Sequence, residues 1–296
     1  MRKIVECVPN FSEGRRQEVI DAIVAAVADV DGASVLDVQS DADHNRTVVT
    51  FVGGPEAVLE GAFQAARQAA RLIDLDEHQG EHPRMGASDV IPFIPVQGVS
   101  MADCVDLAKR LGQRMGEKLD IPVYLYEAAA TRPARRNLAN VRKGEYEGIR
   151  ESIGSDPARE PDYGPRRLGP AGATAVGARP FLIAFNVYLN TDDVEIANRI
   201  AKRIRHSGGG LRYVKALGML VEGQAQVSMN LTDFRRTAIH TVVEMIRREA
   251  ARYGVLVTHS ELIGMLPQQA LLDAAQWYLQ LDGFGAEQVL ENRLGE

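Results

Sequence analysis

The chain is poor in several things, and each shortage rules something out. Among 296 residues there are two cysteines, Cys7 and Cys104, too few for a disulfide framework and in keeping with a reducing cytoplasm. No apolar stretch approaches the roughly 20 residues that a membrane-spanning helix needs. The first residues, "MRKIVECVPNF", contain neither a long apolar segment nor a small-residue cleavage site, so a secretory signal is not expected. A basic excess is also missing. With 34 Lys and Arg against 40 Asp and Glu, the formal charge is -6, which argues against a nucleic-acid binder. Local basic clusters, "RPARR" at 132–136 and "RHSGGGLRYVK" at 205–215, read as solvated faces unless an anionic ligand is independently implied.

Apolar material, at 45% of residues, is ample for two ordinary cores or one large one. Short extended runs alternate with longer amphipathic ones. "KIVECVPNF" reads as a strand, "RRQEVIDAIVAAVADV" as a helix, "ASVLDVQS" and "RTVVTFVGG" as strands joined by the turn-prone "DADHN", and "PEAVLEGAFQAARQAARLI" as a helix with proline in its first turn. "DVIPFIPV" reads as a strand that its prolines limit to an irregular or edge position. Ser100 with Asp103 three residues on opens the helix "SMADCVDLAKRLGQRMGEKL", and "PVYLYEAA" follows as a strand.

Residues 154–179, "GSDPAREPDYGPRRLGPAGATAVGAR", are dense in glycine and proline and aperiodic. Beyond them the earlier order returns. "PFLIAFNVYL", "DVEIANRIAKRIRHS", the pair "LRYVKALGMLVEG" and "QAQVSMNLTD", then "RTAIHTVVEMIRREAARYG" repeat strand, helix, two strands, helix, with "VLVTHSELIGML" and "QQALLDAAQWYLQL" adding a strand and a helix. The expectation is an α+β protein duplicated as βαββα-type halves, with helices on the outer faces and a ligand cleft between the halves.

The stretch "DEHQGEHPRMG", residues 76–86, puts His78, Glu81 and His82 in an H-x-x-E-H pattern. A zinc hydrolase would need both histidines on one continuous helix and a third ligand. Gly80 inside the pattern and Pro83 after it oppose that helix. The same residues suit an irregular turn presenting one imidazole that moves protons near neutral pH; on spacing alone, a plain surface turn is the simpler reading. Neither "HSGGGLRYV" nor "GPAGATAVGAR" runs from strand to helix, so neither is a phosphate loop. In "CVPNFSEGR" Ser12 reads as a helix cap, with Asn10 and Glu13 at the same end of the sheet. "DADHNRT", residues 41–47, reads as hairpin chemistry.

Taken in order, "IVECVPNFSEGR", "DADHNRTVVTFVG", "LIDLDEHQGEHPRMGASDVIPFIPV", "PVYLYEAA", "PDYGP", "GATAVGAR", "FLIAFNVYL", "QVSMNLTDF", "THSELIGMLP" and "ALLDAA" resemble the glutamate formimidoyltransferase family across nearly the whole chain. The likeness is to the stand-alone transferases, since 296 residues leave no room for the cyclodeaminase domain of the bifunctional members. It implies two ferredoxin-like subdomains, residues 1–178 ending in the glycine-rich connector and residues 179–296. It implies transfer of the formimino group from N-formimino-L-glutamate to N5 of tetrahydrofolate, giving 5-formiminotetrahydrofolate and L-glutamate in histidine degradation. The co-substrate is tetrahydrofolate, no metal is called for, and the expected assembly is a cytoplasmic homodimer.

The resemblance also implies site residues. The histidine of the GEHPRMG motif, His82 here, is the catalytic base. The folate-contacting stretch corresponds to Tyr163, Gly164, Pro165, Arg166, Arg167, Leu168, Gly169, Pro170, Ala171 and Gly172, although "RRLGPA" departs from the relatives. Gln39 stands where animal members carry an aspartate, which leaves Asp37 and Asp41 as acids that could steady the amidine, with His44 in the same turn. Both substrates bear carboxylates, for which Arg84, Arg166 and Arg179 are the ranked cations. Other readings are a glutamate formyltransferase using the same site, a non-catalytic folate- or amino-acid-binding module, and the zinc hydrolase.

Overall fold

The computed structural model describes residues 2–80 and 83–294; Glu81 and His82 therefore lie outside the described residues. The chain divides into two compact units, Met1–Pro180 and Phe181–Glu296, each an α+β structure on its own sheet.

In the first unit, β1 (Ile4–Cys7) and β2 (Asn10–Phe11) are one strand interrupted at Val8–Pro9, and both segments pair with β4 (Arg46–Gly53) on one side and β5 (Ser88–Gln97) on the other. β3 (Ala33–Asp41) is the edge beyond β4. The helices α1 (Gln17–Ala28) and α2 (Pro55–Leu72) return the chain between them. This is the βαββαβ path of a ferredoxin-like unit. The sheet is then extended past β5, because α3 (Met101–Leu119) carries the chain to β6 (Val123–Glu127), and β7 (Thr174–Ala178) inserts between β5 and β6, parallel to both.

Of the two positions its prolines allow, β5 takes the irregular one, inside the sheet. Pro92 lies opposite the break at Val8–Pro9, and Pro95 pairs with Val5 where the register shifts, so neither proline deprives a regular ladder of a donor. The end of the glycine-rich connector, aperiodic in sequence, is a strand. Thr174–Ala178 are all buried, and their small side chains suit a strand packed on both faces.

Amphipathic spacing sets which face each helix buries. Val19, Ile20, Ile23 and Val27 of α1 and Val58, Leu59, Ala62, Phe63, Ala66 and Ala69 of α2 recur every three to four residues. They pack with Leu107, Leu111 and Met115 of α3 on Val49, Phe51, Ile91 and Phe93 of the sheet. Ser100 caps α3 reciprocally with Asp103, as the sequence predicts: the Ser100 hydroxyl accepts from the Asp103 amide at 3.2 Å, and the Ser100 amide donates to the Asp103 carboxylate at 2.8 Å. On the opposite face, the short helices α4 (Leu138–Arg142) and α5 (Glu145–Ser152) cover only the β5–β7–β6 end, through Val141, Ile149 and Ile153 against Val90, Tyr124 and Tyr126. The β1–β4 end of that face has no helix in this cluster and carries polar side chains.

The second unit runs β8 (Ile183–Leu189), α6 (Val194–Ile204), β9 (Val214–Val221), β10 (Gln224–Leu231), α7 (Ile239–Ala251), β11 (Val257–Ile263), then α8 (Gln268–Leu279) and α9 (Leu290–Leu294). Its sheet order is β11-β8-β10-β9, antiparallel throughout, again the ferredoxin-like order. Glu222 and Gly223, both at positive φ, make the two-residue turn between β9 and β10.

Gly172 has φ +68, and a Cβ there would stand 2.3 Å from the Met85 carbonyl oxygen. Gly172→Ala is expected to lower stability by more than the roughly 1–2 kcal/mol that left-handed backbone alone demands of a non-glycine residue. Urea midpoints for the variant and the parent protein measure it; equal midpoints would refute this packing.

Candidate active site

Four stretches remote in sequence meet at one end of the first sheet. Asn10, Phe11, Ser12, His44, Asn45, Arg46, His78, Arg84 and Asp89 line one pocket. They come from the exit of β2, the β3–β4 turn, the loop that carries residues 81 and 82, and the start of β5.

The segment between β2 and α1 is fixed by side chains the sequence reading assigned differently. Ser12 does not cap α1; its hydroxyl donates to the Gly86 carbonyl at 2.8 Å and its amide to Ala87 at 3.0 Å. Glu13 takes the helix-entry role, accepting from the amides of Arg15 and Arg16 at 2.9 Å each and from the Arg16 guanidinium at 2.5 Å. Burial opposes ionisation of Glu13, but these donors outweigh it and hold the carboxyl below its ordinary value.

Asn45, in left-handed conformation at the β3–β4 turn (φ 48), ties three segments together. Its side-chain oxygen accepts from the Gly14 amide at 2.8 Å, its amide nitrogen donates to the Gln79 carbonyl at 2.9 Å, and its own carbonyl meets His78 Nε2 at 3.1 Å. Gly80 lies so close to the turn that a Cβ would be 2.5 Å from the His44 carbonyl oxygen. The loop leading to His82 is thus seated on the hairpin turn. His78, donating from Nε2, presents Nδ1 as an acceptor. Burial, and less so nearby Arg84, lowers its pKa, so the ring is neutral at physiological pH.

The charged residues differ sharply in how they are neutralised. Arg84 is held by Glu147 at 2.5 and 2.8 Å and by Glu145 at 3.3 Å. Asp89 is buried, accepting from the Met85 amide at 2.9 Å and from the Arg142 guanidinium. Arg46 donates only to the neutral side chain of Asn10 among the described residues. Burial and the neighbouring Arg142 push the Arg46 pKa down to about 10, against the pull of Asp89 and Asp41.

The remaining sequence candidates fall in several places. Cross-strand pairing sets Asp37 opposite Thr50, Gln39 opposite Val48 and Asp41 opposite Arg46, all on the face away from α1 and α2. Asp41 accepts from the His44 amide at 2.8 Å and pairs with its ring at 2.9 Å. Of the connector, the Pro170 and Ala171 carbonyls accept from the amides of Leu75 and Ala87 at 2.8 and 2.9 Å, and Gly172 bridges Gly86. That end borders the segment following His82. The other end is bound elsewhere. The Tyr163 carbonyl accepts from Val123 at 2.9 Å, Arg166 donates to the Gly154 carbonyl at 3.4 Å, and Arg167 pairs with Asp120 at 2.5 Å. Arg179 follows β7, its amide donating to the Phe93 carbonyl at 3.2 Å. Sequence reasoning read Asn45 and Arg46 chiefly as hairpin chemistry within "DADHNRT" and passed over Asp89. Among the described residues no group of three or more His, Cys, Asp and Glu could hold a metal ion.

Family models match both units: the formiminotransferase domain, N-terminal subdomain, over residues 4–179, and the formiminotransferase domain over residues 184–291. The chain belongs to the formiminotransferase family. It is 50% identical over 298 residues to the glutamate formimidoyltransferase of Streptococcus pyogenes serotype M1, covering 99% of each chain. It is also 50% identical to the Thermoplasma acidophilum protein of the same name, over 98% of this chain and 97% of that one. The formimidoyltransferase-cyclodeaminase of Mus musculus is 52% identical over 94% of this chain, which spans 53% of the mouse protein. In formiminotransferase terms the pocket therefore stands on the N-terminal subdomain.

On the same polar face, Glu6 is buried and its carboxyl is raised from 4.5 to about 7, chiefly by burial and despite Arg179. The folded state thus holds a proton that the unfolded chain gives up near pH 4.5. Glu6 should favour folding fully below that pH, and its contribution should fade as pH rises through about 7. Unfolding free energies at pH 5 and pH 8 should show Glu6→Gln gaining on the parent protein at the higher pH, by up to about 3 kcal/mol. A pH-independent difference would show that Glu6 does not titrate in this way.

Proposed function

We infer that this chain is a glutamate formimidoyltransferase, transferring the formimino group of N-formimino-L-glutamate to N5 of tetrahydrofolate. The observation that carries the reading is end-to-end likeness to stand-alone enzymes of that name, in a chain whose most distinctive stretches build one polar pocket. In the reaction, N5 attacks the amidine carbon and forms a C–N bond. The bond from that carbon to the glutamate nitrogen then breaks, and the proton lost by N5 ends on the departing nitrogen. No electrons change hands, so tetrahydrofolate serves as a co-substrate and the chemistry needs no metal.

Our assignment of roles starts with His82 as the proton carrier, a task worth about 10²–10⁴-fold in rate. Its loop is supported by the clamp at Asn45 and by Gly80. Holding both substrates in register supplies much of the remainder. Asp37, Gln39, Asp41 and His44 are assigned to the donor side, on the polar face and turn beside Arg46. Residues 163–172 are assigned to folate, with the Gly169–Gly172 end, hydrogen-bonded beside Met85–Ala87, nearest the reacting centre. Arg84, Arg166 and Arg179 are assigned to substrate carboxylates, although Arg84 already answers Glu145 and Glu147. The subdomain limits we propose are 1–178 and 179–296.

A cytoplasmic location fits two buried, unpaired cysteines, and among the described residues no helix is long and apolar enough to cross a membrane. A homodimer fits the apolar side chains exposed on α8, Leu271, Trp277 and Leu279.

The decisive assay follows 5-formiminotetrahydrofolate spectroscopically with formimino- and formylglutamate offered side by side. The formimino donor is expected to be the better substrate, and His82→Ala to keep the fold and folate binding while losing about 10²-fold or more in kcat. Turnover near that of the parent protein would remove His82 from the mechanism. Light scattering of the purified protein should give twice the mass of one chain; a monomer at micromolar concentration would refute the dimer.

A further inference from the structure

The pocket contains a cation that the described residues leave without an ion pair. Arg46 makes no ion pair among the described residues; its one hydrogen bond goes to Asn10, a neutral acceptor. The acids around it are committed: Asp89 to Arg142 and the Met85 amide, Asp41 to His44. Its Nε is buried and lacks an acceptor among the described residues, and the same is true of Arg84 Nε. His78 Nδ1, also buried and without a partner, belongs to the same pocket wall. Orphaned buried polar atoms are rare in folded proteins and often mark a ligand's place. Here three of them belong to residues that line a single pocket.

Two N–H donors, one of them on a guanidinium with no ion pair among the described residues, and one ring acceptor are left for a ligand to satisfy. They match a carboxylate flanked by an N–H, which is what an N-substituted α-amino acid presents at its α-carbon. We propose that Arg46 binds the α-carboxylate of the amino-acid donor, with Arg84 Nε assisting and His78 Nδ1 accepting from the donor's N–H. The idea rests on the transferase reading above and adds to it the residue that selects an α-amino acid. The α-carboxylate is favoured over the side-chain carboxylate by position. The pocket is walled by His78 and Arg84, which bracket His82 in the chain, and the nitrogen that must be protonated is bonded to the α-carbon.

The test pairs a protein change with a ligand change. Arg46→Gln should raise the donor KM by about 10- to 100-fold, the range expected for losing a charge-assisted hydrogen bond, with the tetrahydrofolate KM unchanged; Arg46→Lys should recover part of the loss. In the parent protein, a donor carrying an α-carboxamide should be penalised to a similar degree and one carrying a side-chain carboxamide much less, and in Arg46→Gln the α-carboxamide penalty should vanish. A donor KM within two-fold of the parent value, a penalty confined to the side-chain carboxamide, or a loss falling on tetrahydrofolate would each overturn the assignment. Calorimetric binding of L-glutamate, the released product, to the parent protein and to Arg46→Gln separates this idea from the transferase reading. Weakened binding in the variant supports the subsite even if no formimino transfer occurs, and equal binding refutes it even if transfer is robust.

Discussion

Everything at the pocket hangs from the side chain of Asn45. It joins the entry to α1, the β3–β4 turn and the loop before His82, segments more than 30 residues apart in sequence, through two side-chain bonds and one to its own carbonyl. An asparagine can do this because one short side chain offers both an acceptor and a donor and tolerates the left-handed backbone of the turn. A hydrophobic core could bring these loops near one another, but directional bonds are what fix their register to within the tolerance that proton transfer requires.

The second constraint is electrostatic. The pocket holds the guanidinium groups of Arg46 and Arg84, with Arg142 bound to Asp89 beneath them. Packing like charges into a partly buried site is unfavourable unless acids answer them. Glu145 and Glu147 answer Arg84 and Asp89 answers Arg142, which leaves Arg46 without an ion pair among the described residues. A net charge of -6 is no obstacle to the carboxylate site proposed at Arg46: what counts is the local field, not the total.

Much of the architecture was legible from periodicity. From β8 to α8 the strands and helices of the second unit stand where alternation or helical spacing put them, and β8, α6, β10 and α7 each bury one face against their own layer. Local rules gave way where a partner remote in sequence overrode them. Pro92 is tolerated inside the sheet because the neighbouring strand is broken at Val8–Pro9. Thr174–Ala178 form a strand only because β5 and β6 leave a slot between them. Ser12 looked like a helix cap, yet Gly86, 74 residues away, claims its hydroxyl.

By itself, then, the sequence determined the α+β class, the duplicated order, the family and the motif stretches from which the pocket is made, since spacing and local residue chemistry encode all of these. Which members of those stretches do the work was decided by tertiary structure. Nothing in "DADHNRT" distinguishes Arg46, without an ion pair among the described residues, from Asp41, occupied by its own turn. Nor does "GEHPRMG" reveal that Arg84 is matched by two glutamates some 60 residues further on. The charge state and freedom of a side chain depend on what stands within a few ångströms of it, and only the folded chain sets those distances.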